Sequence, residues 1–131
     1  MSQPTPAHSQ LTRTPIVICV DDDHAMRTLY WQSLWSQGYR CMACESADAA
    51  LEAVRQLPVA LAILDYDMPT VTGAELARKL RDMRPDLPIL LMSGRTDLRD
   101  LDLENFDEIC CKSSPFSSFF CAIATLLSGR Q

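Results

Sequence analysis

The chain has 131 residues, 47% of them hydrophobic and 22% charged, which suits one domain with a single sizeable core. Its formal net charge is −5, Lys79 and Lys112 are its only lysines, and no basic stripe exists, so direct binding of nucleic acid is not expected. No segment approaches the roughly eighteen continuous apolar residues of a membrane helix, and the start lacks a signal-peptide core, so a cytoplasmic location and no membrane partner are expected.

Residues 1–13 are rich in Pro, Ser, Thr and Gln and read as a disordered tail ahead of a single domain over 14–131. From Ile16 onward, short apolar runs alternate with longer segments of helical period. Strands are expected near 16–20, 40–44, 60–64, 88–92 and 108–111, and helices near 23–36, 46–56, 73–83, 97–104 and 116–128. Gly38-Tyr39 ends the first helix, Ser46 can cap the second, Pro69 to Gly73 form a turn, and Pro85 to Pro88 precede the fourth strand. Five βα rounds imply an α/β fold with a parallel sheet and helices on both faces. No second module is expected after the last helix.

Two of these strands run straight into carboxylates. Ile16 to Val20 leads into Asp21-Asp22-Asp23, and Leu61 to Leu64 leads into Asp65-Tyr66-Asp67. If the two strands are parallel neighbours, their carboxyl ends open on one edge, where open α/β sheets place ligands. Clustered carboxylates repel, and a hard divalent cation relieves that cost. Mg²⁺ fits best, because it commonly shares one or two carboxylates with a phosphate. Alternatively, each aspartate simply caps the helix that follows it.

Six cysteines include Cys41-Met42-Ala43-Cys44 and the adjacent Cys110-Cys111. Cys19, Cys110, Cys111 and Cys121 lie in apolar runs, where free cysteine acts as a small hydrophobe. A zinc site from Cys41 and Cys44 needs further ligands, and the only histidines are His8 in the tail and His24 beside the acids.

Val20-Asp21-Asp22-Asp23-His24-Ala25-Met26-Arg27, Leu64-Asp65-Tyr66-Asp67-Met68-Pro69 with Gly73, Leu91-Met92-Ser93-Gly94 and Cys111-Lys112 occur in this order, each closing a strand. Together they resemble the receiver domain of two-component response regulators, the CheY-like family, over about residues 16 to 128. The resemblance implies a flavodoxin-like (βα)5 sheet of order 2-1-3-4-5, an order for which CheY itself is an example. It also implies that Asp65 accepts a phosphoryl group from a histidine kinase. Asp22 and Asp65 would bind Mg²⁺ through carboxylate oxygens, Asp21 mainly through water, and Asp67 through its main-chain carbonyl. Ser93 would donate its hydroxyl to a phosphoryl oxygen and Lys112 would pair with the phosphate. Asp67 and Arg95 lie where the family tunes hydrolysis. Such a domain is a self-phosphorylating phosphoacceptor with slow autodephosphorylation rather than an enzyme. Its partners would be a sensor histidine kinase and an unknown output protein.

The chain also departs from that pattern. The family usually follows its lysine with a cis-proline, whereas Lys112 precedes Ser113-Ser114-Pro115, so a cis bond there is not expected. Ile109 stands where an aromatic switch residue is common. The segment from Ser93 to Lys112 is short and leaves barely two turns for the helix near 97–104; either output runs through another surface, the favoured reading, or the short segment is itself the adaptation. The last helix carries no charge from Ser113 to Gly129 and is apolar on more than one face. With Trp31 and Trp35 on the first helix, Phe119 and Phe120 are read as a partner or homodimer contact; the alternative is scattered surface aromatics.

Two other readings are carried alongside the stand-alone phosphoacceptor switch. One is a non-switching interaction module with a receiver fold. The other is a haloacid dehalogenase-type phosphohydrolase, because Asp65-Tyr66-Asp67 resembles the Asp-x-Asp pair of that family, although that pair follows a first strand there.

Overall fold

The computed structural model describes residues 14–129, so the expected tail over 1–13 lies outside the described residues. Five strands and four helices follow in the order β1 (Ile16–Val20), α1 (His24–Ser36), β2 (Arg40–Cys44), α2 (Ala47–Gln56), β3 (Val59–Asp65), α3 (Gly73–Met83), β4 (Ile89–Ser93), β5 (Glu108–Cys111) and α4 (Phe116–Ser128). The strands form one parallel sheet of order β2-β1-β3-β4-β5, as the resemblance implied. No described helix is long and apolar enough to cross a membrane.

The central strands β1, β3 and β4 are apolar on both faces because helices cover both faces. On one side, Ile18, Val20, Ala62, Leu64 and Ile89 pack against Val54 of α2 and Leu76 and Leu80 of α3. On the other, Val17, Cys19, Leu61, Ile63 and Leu90 pack against Tyr30 and Leu34 of α1 and Phe119 and Ile123 of α4. Each fully buried Leu, Ile or Phe contributes about 1.5–3 kcal/mol relative to exposure, so these two layers supply most of the driving force.

Local chemistry sets the helix ends. Asp23 caps α1 by accepting from the amide of Ala25, and Ser46 caps α2 by accepting from that of Ala49. Thr72 and Glu75 form a reciprocal capping box on α3. Helix α1 stops in a Schellman arrangement, with Tyr39 N donating to Leu34 O and Gly38 N to Trp35 O, and Gly38 takes the positive φ of 89° that this turn needs.

The expected helix near 97–104 does not form. Asp97 Oδ1 accepts from the amide of Arg99 at 3.1 Å, and Asp102 Oδ1 from that of Glu104 at 3.2 Å, so side chains take amides that a helix would use. Single turns close from Leu101 N to Leu98 O and from Phe106 N to Leu103 O. Leu101, Leu103 and Phe106, spaced unlike a helix face, turn inward onto Tyr66, Ala74 and Leu91. Arg81 secures the far end of the connection, donating to Leu87 O at 2.7 Å, Asn105 O at 2.8 Å and Asp107 Oδ2 at 2.9 Å.

The proposed aromatic contact is also corrected in part. Helices α1 and α4 do share one face of the sheet, but Phe119 is buried between them, its ring centroid 5.7 Å from that of Tyr30. Phe120 and Trp35 are half-buried, while Trp31 is exposed and its ring lies 6.1 Å from that of Trp35. Phe119 therefore belongs to the core. No cis peptide occurs among the described residues.

Candidate functional site

Strand register brings the acids together. Val20 pairs with Leu64, so Asp21 and Asp22 emerge beside Asp65. Asp65 pairs with Met92 and Ser93 pairs with Cys111, so Ser93 and Lys112 emerge at the same edge. Four strands thus deliver five polar side chains to one end of the sheet.

Asp21 is fully buried, Asp65 and Ser93 are buried, and Asp22 is exposed. Asp21, Asp22 and Asp65 each offer a carboxylate oxygen, all within 4.8 Å of one another. Lys112 Nζ lies 3.0 Å from Asp21 Oδ2 and 3.1 Å from Asp65 Oδ1. Burial, and then the negative charge of Asp21, push the Asp65 carboxyl up, and the Lys112 ammonium offsets only part of that. Burial alone would lower the Lys112 pKa, but the bonds and charges of Asp21 and Asp65 outweigh it and hold the ammonium charged. The two rises have different causes: burial leads for Asp65, and the two neighbouring carboxylates lead for Lys112. The set of clustered hard oxygens with residual negative charge fits a divalent cation such as Mg²⁺.

The rim is organised by Arg95. Its Nε donates to Asp67 Oδ2 at 2.9 Å, a bond that holds the Asp67 carboxyl below its ordinary value. Its amide donates to Ser93 Oγ at 3.1 Å, and its guanidinium carbon stands 5.8 Å from the Tyr66 ring centroid. The side chain of Asp67 therefore pairs with Arg95 rather than joining the other three acids.

Several contributors were not legible in the sequence. Arg27 Nη1 donates to the main-chain oxygen of Asp21 at 2.9 Å, anchoring the first acidic turn to α1. Gly73 donates its amide to Tyr66 O at 2.8 Å and passes so close to β3 that a Cβ there would lie 2.6 Å from Asp65 O. Tyr66 accepts from the amide of Asp102 at 3.0 Å. His24 is exposed at the start of α1, and Asp23 serves as its cap. All six cysteines are free thiols; burial raises Cys19 strongly and pushes Cys44 up to about 11.

The family profile for the response regulator receiver domain matches residues 17–104. The response regulator MprA of Mycobacterium leprae is 39% identical over 85 residues, covering 64% of this chain and 37% of that protein. The chain spans 11% to 38% of the length of the first curated relatives it matches. Among solved structures, the response regulator TrrA of Thermotoga maritima, in complex with Mg²⁺-BeF, superposes with a TM-score of 0.82 at 30% identity, covering 87% of this chain and 100% of that one. TrrA in complex with the histidine kinase ThkA gives 0.80 at 29% identity, covering 87% and 99%. With four strand-end motifs converging on one acidic pocket in a 2-1-3-4-5 sheet, and with that profile matched over most of the domain, the chain belongs to the receiver-domain family of two-component response regulators.

Proposed function

We propose that this chain accepts a phosphoryl group on Asp65 from the phosphohistidine of a sensor histidine kinase, and that the modification changes a surface read by an output protein. The observation that carries this reading is the Lys112 ammonium held between the Asp21 and Asp65 carboxylates at the strand ends. TrrA, a relative of similar fold, was captured both with Mg²⁺-BeF and with its kinase, which supports the same chemistry here.

In this reading an Asp65 oxygen attacks phosphorus, a new O–P bond forms as the histidine N–P bond breaks, and the imidazole keeps the bonding pair. Asp21, Asp22, Asp65 and the main-chain carbonyl of Asp67 would hold Mg²⁺, which neutralises charge on the pocket and on the transferring group. Lys112 pairs with a phosphoryl oxygen, and the Ser93 hydroxyl, placed at the end of β4, donates to another. Slow attack by water on phosphorus breaks the O–P bond, releases inorganic phosphate and returns Asp65 as the free carboxylate. The protein works in the cytoplasm, and the exposed Trp31 with the half-buried Trp35 and Phe120 remains the candidate for a homodimer contact.

A second reading, a receiver-fold interaction module that does not switch, is favoured by the helix-free β4–β5 connection and by Ile109 in the place of an aromatic residue. Incubation with acetyl phosphate and Mg²⁺, followed by intact mass, separates the two. One phosphoryl adduct that is lost in Asp65→Asn and with a chelator establishes the switch. No adduct from any donor, acetyl phosphate or a phosphohistidine protein, favours the module.

A further inference from the structure

The helix-free connection of residues 94–107 is tied to the acidic pocket largely through one side chain. Tyr66 directly follows Asp65 and is buried. Its hydroxyl accepts from the amide of Asp102 at 3.0 Å, and its ring lies 6.5 Å from that of Phe106 within a cluster that includes Leu101 and Leu103. On its outer side stands the Arg95 guanidinium. Tyr66 thus touches the start, the middle and the end of a segment that has no helix of its own.

Arg95 is also bound to the pocket, through its amide on Ser93 Oγ and its guanidinium on Asp67. The groups that a phosphoryl group on Asp65 would attract are therefore the groups that hold the first residues of the connection against Tyr66.

We propose that Tyr66 is a positioning residue that couples the phosphorylation state of Asp65 to the 94–107 connection, so that this connection is the surface that changes. The inference rests on Asp65 being the acceptor. A phosphoryl group brings about −1.5 to −2 charge next to Ser93 and faces the Asp67–Arg95 pair. Ser93 turns its hydroxyl toward the new oxygens, and Arg95 exchanges Asp67 for a stronger anion. Both movements pull the first residues of the connection away from the Tyr66 ring. The contact between the Tyr66 hydroxyl and the Asp102 amide joins two uncharged groups, which makes it the tie that yields. Leu101 and Leu103, half-buried in the unmodified protein, then become available to a partner beside the exposed acidic side chains of Asp100, Asp102 and Glu104. Ile109 cannot supply an aromatic rotamer change at β5, and Tyr66 places an aromatic ring at β3 instead.

The test is amide hydrogen exchange by NMR on the full chain, with and without acetyl phosphate and Mg²⁺, with intact mass read on the same samples. In the wild type, Asp102 exchange is expected to accelerate about tenfold on phosphorylation, the loss of one uncharged hydrogen bond. Tyr66→Phe keeps the ring against Phe106, so it is expected to fold, to form the adduct at wild-type yield, and to show fast Asp102 exchange in both states. An adduct with unchanged Asp102 exchange in the wild type overturns the coupling and leaves the acceptor role intact. So does a Tyr66→Phe protein that retains the phosphorylation-dependent change. Absence of an adduct in the wild type overturns the acceptor role and, with it, the coupling.

Discussion

Lys112 Nζ lies 3.0 Å from Oδ2 of Asp21, joining residues 91 positions apart at the ends of the last and first strands. A fully buried carboxylate with no counter-charge would be driven to protonate or would cost several kcal/mol. The one ammonium is shared, 3.0 Å from Asp21 and 3.1 Å from Asp65, and offsets part of the cost of burying the two charges. One cation between two anions leaves one net negative charge, and the exposed Asp22 carboxylate beside them adds to it, which invites a divalent cation.

Replacing Lys112 with Ala leaves both carboxylates facing each other. Urea denaturation of the metal-free protein is expected to show a loss of about 2 kcal/mol, below the value for fully buried pairs because the lysine is partly exposed. Added Mg²⁺ should recover part of that loss by binding only the folded state. The rate of adduct formation from acetyl phosphate should fall about 10²-fold, as for loss of one preorganised charge donor. An unchanged urea midpoint would show that the pair contributes nothing.

Asp65→Asn is expected to abolish the adduct and to raise the melting temperature in metal-free buffer at neutral pH. The sign follows from the raised pKa of Asp65. The folded state holds that proton more tightly than the unfolded chain does. Folding therefore loses stability as pH rises from the ordinary value of 3.8 through the raised one, and keeps that loss at neutrality. Asparagine has nothing to ionise. The gap between variant and wild type should narrow as pH falls toward 3.8, and should narrow at neutral pH when Mg²⁺ is added. Melting curves across pH that run parallel would contradict this.

Arg95→Ala removes an exposed ion pair, so the urea midpoint should hardly move. Its effect on phosphorylation should be larger. The variant leaves the Asp67 carboxylate uncompensated at the mouth of the pocket, where it repels an anionic donor, and the rate with acetyl phosphate should drop about three- to tenfold at low salt. Raising the ionic strength should shrink the difference, because both charges face solvent. A salt-independent defect would point to a change in shape instead.

Gly73→Ala probes the close approach of α3 to the end of β3 at Asp65. The new Cβ would meet Asp65 O at 2.6 Å and Tyr66 Cα at 2.9 Å, both main-chain atoms with no freedom to swing aside. The expected cost is about 2 kcal/mol, typical of forced overpacking, with slower adduct formation because the Asp65 main chain must shift. Equal stability and equal rate would show that the turn from Pro69 to Gly73 gives way without moving Asp65.

The strands and four of the five expected helices were legible because each carries a local signal: β-branched and leucine runs, Ser46 at a cap, the turn from Pro69 to Gly73, and Gly38 at the end of the first helix. The segment near 97–104 misled for the same reason. Its place in the βα alternation suggested a helix, but Asp97 and Asp102 bind nearby amides and Tyr66 captures a third from 36 residues away. Phe119 and Phe120 were read alike as neighbours on an apolar helix, yet a difference of one residue puts Phe119 under Tyr30 and Phe120 at the margin.

What the sequence determined by itself was the alternation of elements and the presence of carboxylates, a serine and a lysine at successive strand ends, because each follows from the period and composition of a short stretch. The tertiary structure decided which of them meet. Parallel register carries Asp21, Asp65, Ser93 and Lys112 to one edge, sends the Asp67 side chain to Arg95, and gives the connection after β4 its shape from Tyr66 rather than from a helix. Those outcomes depend on distances between residues far apart in the chain, which no local pattern encodes.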